Sequence, residues 1–138
     1  MKKTVGRKLV KALRSGKYRQ GTDALCTVKP KMPPAFCCLG VLTNIFLLEH
    51  GEKWQTSCGN DYDPSRDLMH DSLFPKGGDC AFLSERVMNW AGIKTEDDKF
   101  GPNGPYQLAI HNDGIPRKVK KKTFAEIADL IEAHMNDL

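Results

Sequence analysis

The sequence lacks the closely spaced cysteine and histidine pairs from which proteins usually build structural metal sites. Neither CxxC nor HxxxH occurs in its 138 residues, although it contains five cysteines and four histidines. Zinc sites are typically assembled from such pairs, so no metal and no other cofactor is predicted. An odd number of cysteines is more typical of free thiols in a reducing cytoplasm than of a disulfide framework.

Long apolar runs are also missing. The most apolar stretch, residues 35–48, is interrupted by Gly40, Thr43 and Asn44. It is too short to cross the roughly 30 Å hydrocarbon layer of a bilayer. The basic start of the chain, residues 1–16, is not followed by the continuous apolar segment of a secretion signal. We therefore expect a cytoplasmic protein with no membrane partner.

Acidic residues are scarce in the first third of the chain. Residues 1–48 carry ten lysines and arginines against Asp23 alone, a net charge of +9. Residues 49–98 carry five basic and eleven acidic residues, a net −6, and the whole chain is at +4. This asymmetry predicts a basic face that attracts anionic partners.

The chain has the length of one domain, and no internal repeat is visible. Apolar spacing and capping residues predict helices over residues 4–15, after Pro34 up to a stop at Gly51, from Ser84 to Gly92, and over residues 124–134. Alternating residues predict strands over 24–29 and 106–111, with the prolines at 30, 33 and 34 forcing a loop. The predicted fold is α+β, with about four helices packed on a small antiparallel sheet in a single compact domain.

Between the second and third predicted helices the sequence is rich in aspartate, glycine and proline. We interpret residues 52–82 as a loop-rich segment of the single domain 1–138.

The adjacent Cys37 and Cys38 at the start of the apolar helix allow two interpretations. A helix N-terminus favours a reactive thiolate, and His111 with Asn112 or Asp113 would complete a nucleophilic site. Free cysteine is also among the most buried residue types, and the flanking residues are apolar. Burial is the favoured interpretation; His70, with nearby carboxylates, is a further candidate if the protein is an enzyme.

The segment KYRQG follows the first predicted helix. Lys17 and Arg19 supply cations, Tyr18 an aromatic face and Gln20 an amide, a combination suited to binding a phosphate and stacking a base. The cations are equally suited to complementing the helix dipole while Tyr18 packs on the core. Asn112 and Asp113 follow a predicted strand; they either join this ligand site or only cap a turn.

A second basic run, RKVKKK at residues 117–122, precedes the last helix. Such a run binds phosphate backbones in some proteins, but before a helix it is more often a solvated loop. No recognised nucleic-acid motif accompanies it, so a nucleic-acid partner is possible but not favoured.

Four stretches together resemble a family of small, uncharacterised proteins of tailed bacteriophages. They are ALRSGKYRQG, FCCLGVL, the pattern formed by Val87, Trp90, Gly92 and Ile93, and LAIHNDG followed by TFAEIADLIE. The resemblance implies a phage-encoded cytoplasmic accessory protein, and such proteins often act against host defence. It supplies no catalytic residues.

These observations leave three hypotheses of function. The first is a non-catalytic counter-defence protein that sequesters a small anionic, nucleotide-type signal, with a homo-oligomer as its expected assembly. The second is a hydrolase or phosphodiesterase that cleaves such a signal. The third is an inhibitor that binds nucleic acid or a host protein through the basic face.

Overall fold

The computed structural model describes residues 1–65, 71–94, 99–100 and 106–135. Five helices lie in these ranges: α1 (Lys3–Leu13), α2 (Cys38–Glu49), α3 (Glu85–Ala91), α4 (Leu108–Asp113) and α5 (Phe124–Ala133). The described strands are β1 (Arg19–Gln20), β2 (Cys26–Lys29), β3 (Met32–Phe36), β4 (Asp71–Leu73), β5 (Lys99–Phe100) and β6 (Tyr106–Gln107). The α+β prediction is confirmed, and the helices and sheet form one compact domain.

The main sheet has the strand order β1-β3-β2-β4. β2 is antiparallel to β3 and β4, but β1 runs parallel to β3, with Arg19 opposite Ala35 and Gln20 opposite Phe36. The prediction of a purely antiparallel sheet is therefore wrong. The chain reverses between β1 and β2 and again between β2 and β3, so β1 has the same direction as β3 when it pairs with that strand.

Two local predictions are also wrong. Residues 32–36 form a strand despite Pro33 and Pro34, because the ladder with β2 shifts register there and β1 reaches only Ala35 and Phe36. Neither proline therefore has to donate a backbone hydrogen bond to a neighbouring strand. The expected strand 106–111 is β6 followed by α4, whose buried Leu108 and His111 have helical spacing.

The helices with clear end signals are confirmed. Ser84 caps α3 by accepting from the N–H of Val87, and Gly92 ends it in the left-handed conformation. Thr123 and Glu126 form the predicted capping box of α5. α1 ends at Leu13 rather than at Ser15, and the predicted turn after it contains β1.

The apolar helix α2 lies in the centre of the core. Leu39, Val41 and Leu42 are almost completely buried. Gly40 faces the backbone of Leu25 just before β2 so closely that a Cβ atom would overlap the Leu25 carbonyl oxygen. α2 therefore packs directly on the chain entering the sheet, which fixes its N-terminus beside the end of β3.

The segment predicted to be loop-rich is attached to the sheet at several points. β4 pairs with β2, and Gln55 forms bridges with both Asp61 and Phe74.

Within the described part of the chain, no helix combines the length and apolarity required to cross a membrane.

Candidate functional site

The side-chain amide of Asn112 links three separate segments of the chain. Its oxygen accepts from the Gln20 side chain at 3.1 Å and from the N–H of Cys38 at 3.2 Å. Its nitrogen donates to the carbonyl of Gly21 at 2.8 Å and to the Asp113 carboxylate at 2.7 Å. Asn112 is completely buried. A buried amide with all four bonds made holds β1, the start of α2 and α4 in one arrangement.

Asp113 extends this junction towards the surface. Its carboxylate accepts from the N–H of Asp23 at 3.4 Å as well as from Asn112. Asp113 is half-buried and close enough to Cys37 and Cys38 to raise the pKa of both thiols. Both Asn112 and Asp113 are therefore engaged by the protein itself.

The four residues 17–20 do not form one ligand-facing group. Lys17 is exposed, and the Arg19 guanidinium donates to the carbonyl of Pro33 at 2.8 Å. Tyr18 packs edge-on against Phe36 at 5.3 Å. Gln20 is directed inwards, where it donates to the carbonyl of Lys122 at 2.8 Å as well as to Asn112. Gln20 and Arg19 also line a surface cleft of about 520 Å³.

The hydroxyl of Tyr18 belongs to a small polar network beneath the surface. It accepts from the Asn44 amide at 3.1 Å, and the Asn44 oxygen accepts from the indole N–H of Trp54 at 2.9 Å. Trp54 is buried. The packing alternative for Tyr18 is therefore the one observed, and Trp54 is a core residue.

The prediction that the cysteine pair is buried is confirmed. Cys37 is 5% exposed and Cys38 is fully buried. Cys37 is the N-cap of α2, where its sulfur accepts from the N–H of Gly40 at 3.3 Å, and Cys38 donates to the carbonyl of Leu108 at 3.4 Å. Burial raises the pKa of Cys37 to about 11 and raises that of Cys38 well above its ordinary value. Desolvation thus outweighs the helix N-terminus.

His111 lies next to the amide junction and is also buried. Burial, with a smaller contribution from Lys122, lowers its pKa. The backbone carbonyl of His111 accepts from the N–H of Lys122 at 2.8 Å. His70, the other histidine considered for catalysis, lies outside the described residues. Among the residues that the structure does describe, no three cysteines, histidines or carboxylates are grouped to hold a metal ion.

Residues 114–122 form a closed loop between α4 and α5, which we call the basic loop. Ile115 and Val119 exchange both backbone hydrogen bonds, at 2.8 and 2.9 Å. The loop is attached at its end by the bonds that Lys122 makes with His111 and Gln20. At its start Gly114 has φ 77°, and a Cβ atom there would lie 3.0 Å from the N–H of Lys121. Backbone hydrogen bonds in its middle and at its end therefore constrain the conformation of the loop.

The basic loop, together with Asp113, lines an open surface concavity of about 520 Å³. Its cationic lining residues are all exposed: Arg117, Lys118, Lys120 and Lys121. None of these four takes part in an ion pair within the described ranges. In α5, hydrogen bonds from Thr123 lower the pKa of Glu126, and the nearby charges of Lys122 and Lys120 lower it further.

Comparison with known proteins places the chain in a family. The family model described as Domain of unknown function (DUF8296) matches residues 1–135. The chain belongs to this family. No curated protein and no solved structure matches it.

In this DUF8296 chain, sequence reasoning identified the residues of the junction but missed the shape of the basic loop. Gln20, Asn112 and Asp113 do come together, although their hydrogen bonds are internal. The sequence signal for the loop was present in RKVKKK, bounded by Gly114 and the Thr123 cap. What the sequence could not show is that Arg117 adopts the left-handed φ of 62° and that Ile115 and Val119 pair across the loop.

Proposed function

We propose that the protein binds and sequesters a small anionic, nucleotide-type ligand without catalysing a reaction, and that the basic loop is its principal contact surface. The observation that carries the proposal is the concavity lined by four exposed cations outside any described ion pair. Unneutralised cations on a rigid loop attract phosphate groups and require little reorganisation on binding.

Backbone strain in the loop supports this assignment. Arg117 has a positive φ, a conformation that is uncommon for residues other than glycine, asparagine and aspartate. Such strain is retained mainly where surrounding structure imposes it, and it is concentrated at functional sites. Here it positions a guanidinium on the rim of a cationic concavity.

The residues first expected to bind the ligand have supporting roles in this proposal. Gln20 holds the end of the basic loop through the Lys122 carbonyl, and Asn112 holds Gln20. Both are positioning residues. Lys17 and Arg19 add positive charge to the neighbouring surface without forming the main contact.

The cysteine pair supports a binding protein over a thiol enzyme. A nucleophilic cysteine must be accessible and partly ionised near neutral pH. With a pKa of about 11, Cys37 is a thiolate in only about one molecule in 10⁴ at pH 7. Its sulfur is also occupied as the cap of α2.

The resemblance to tailed-phage proteins supplies the biological setting of the proposal. In that setting the protein is a counter-defence factor in the host cytoplasm, and its ligand is a nucleotide immune signal. A homo-oligomer would place several basic loops in one assembly. Nucleic acid or a host protein as ligand of the same cations is the competing hypothesis.

The experiment is calorimetric titration with inorganic phosphate, ATP and cyclic di-AMP, followed by denaturation and mass spectrometry of the released ligand. We expect at least one nucleotide to bind and to be recovered intact. The triple variant R117A/K118A/K121A should lose binding at least tenfold. The matched control K3A/R7A/K11A removes the same charges from the exposed face of α1 and should retain it.

Three results would overturn the proposal. Recovery of a cleaved product would identify an enzyme. Equal losses in the two triple variants would show that only total charge matters. Tighter binding of a DNA or RNA duplex than of any nucleotide, with affinity falling steeply as salt increases, would favour the nucleic-acid hypothesis.

A further inference from the structure

A second concave surface lies between the turn joining β2 to β3 and the loop that carries Tyr62. Its volume is about 470 Å³, within the roughly 300–1,000 Å³ range of small-molecule sites. We call it the hairpin cavity. Its lining residues include none of the basic loop; they are residues 28–34 with Tyr62, Pro64 and Ser65.

Part of the hairpin cavity surface is apolar. Four prolines line it, together with Met32, which is 48% exposed, and Tyr62. Tyr62 packs partly against the core, and its N–H donates to the Trp54 carbonyl at 2.7 Å. A held aromatic ring, a polarisable thioether and proline rings together favour contact with a planar ring.

Two cations also line the cavity. Lys29 and Lys31 are exposed, and neither is in an ion pair within the described ranges. The Asp63 carboxylate, which adjoins Tyr62 in the chain, accepts from the N–H and the hydroxyl of Ser65 at 2.9 and 2.7 Å. The two lysines therefore add positive charge to a lining that also contains apolar groups, and the negative charge of Asp63 lies next to Tyr62 in the chain.

The position of Lys31 in the turn is a further indication. Pro30 and Lys31 form the two-residue connection between paired Lys29 and Met32, and Lys31 has φ 59°. Proline followed by a residue with positive φ is the pattern of a type II turn, where glycine is preferred at the second position. The turn carries a lysine there, at a cost in backbone strain, and this lysine lines the cavity.

We propose that the hairpin cavity binds a small aromatic anion of the nucleoside monophosphate class. The planar ring contacts Tyr62, Met32 and the prolines, and the phosphate pairs with Lys29 and Lys31. This site differs from the basic loop in recognising a ring as well as a charge. It does not depend on the function proposed for that loop.

The test is a nitrogen-15 NMR titration of the whole protein with three probes. AMP carries both the ring and the phosphate, ribose 5-phosphate only the phosphate, and adenosine only the ring. We expect AMP to shift the amide signals of Lys29, Lys31 and Tyr62 and to bind at least tenfold more tightly than either fragment. Equal binding of AMP and ribose 5-phosphate, or AMP shifts confined to residues 114–122, would overturn the proposal.

Two substitutions separate binding from folding. K31G removes the cation and places the preferred residue at a left-handed position, so stability should be maintained while AMP affinity at this site falls about tenfold. Tyr62→Leu keeps apolar volume but removes the ring and should weaken AMP binding similarly. R117G should leave the hairpin signals unaffected. An unchanged AMP affinity in folded K31G would contradict the proposal, whatever the outcome at the basic loop.

Discussion

Individual residues at the junction show how burial determines the protonation state of potentially reactive side chains. Cys37, Cys38 and His111 are residue types associated with catalysis, and they lie near Asp113. Each is buried, and desolvation is the largest cause of each pKa shift, upwards for the thiols and downwards for the imidazole. All three groups are therefore held in their neutral forms, which stabilise the packed junction.

Thiol reactivity should follow this burial. We expect iodoacetamide to modify exposed Cys58 first in the native protein, while Cys37 and Cys38 react only after unfolding in urea. Peptide mass spectrometry over a time course measures the order of labelling. Modification of Cys37 in the folded protein at a rate close to that of Cys58 would contradict the assignment of a buried cap.

His111 should make stability depend on pH. Its pKa is lowered from 6.5 in the folded protein, so the unfolded chain binds the proton first as pH falls. Stability should be complete above about pH 6.5 and should decline as pH falls through the folded pKa. Urea unfolding between about pH 8 and pH 5 should show this decline in the wild type and a flatter profile in His111→Gln. If the stability of the wild type and that of His111→Gln changed with pH in the same way, His111 would not be the source of the decline.

At the scale of elements, helices with local end signals could be predicted, and pieces that depend on distant partners could not. The caps of α3 and α5 act through hydrogen bonds within one turn, so Ser84 and Thr123 were sufficient to predict where these helices begin. β1 is only two residues long and exists because β3 lies beside it. α4 is helical because Leu108 and Asn112 reach the core and the start of α2, a contact that no local pattern reveals.

The close approach of Gly40 in α2 to the backbone of Leu25 gives a sharp test of the packing. Gly40→Ala places a methyl group on the Leu25 carbonyl, so we expect a loss of about 3 kcal/mol in the free energy of unfolding. Gly6→Ala is the matched control in α1, because its Cβ would lie 3.5 Å from Met135, an ordinary contact. It should be neutral or stabilise by about 0.5–1 kcal/mol. Urea denaturation measures both, and similar values would contradict the close approach of α2.

At the scale of the whole molecule, one buried amide connects the basic loop to the sheet and to α2. The basic loop is joined to Gln20 through Lys122, and Gln20 is joined through Asn112 to Cys38 and Gly21. Sequence inspection grouped Gln20 with Asn112, but as ligand contacts. The expected and observed roles of these residues differ because an amide group uses the same atoms to bind a ligand and to support a loop. Only the tertiary structure determines which of the two roles it has.

Loss of this amide should affect stability and binding together. Asn112→Ala leaves the Gly21 carbonyl and the Cys38 N–H without their partner, so we expect about 3 kcal/mol of destabilisation. The exposed Asn89→Ala in α3 should change stability by less than about 0.5 kcal/mol. Urea unfolding of the two variants measures the difference. A wild-type stability for Asn112→Ala would show that the junction is not structural.

The most direct test of the proposed function is the nucleotide affinity of R117G. The substitution removes one rim cation and puts glycine at φ 62°, so it should preserve or increase stability. The measurement is a calorimetric titration with whichever of ATP and cyclic di-AMP binds the wild type more tightly. We predict at least a tenfold loss of affinity with an unchanged or higher urea midpoint; wild-type affinity in a folded R117G would contradict the basic loop as the binding surface.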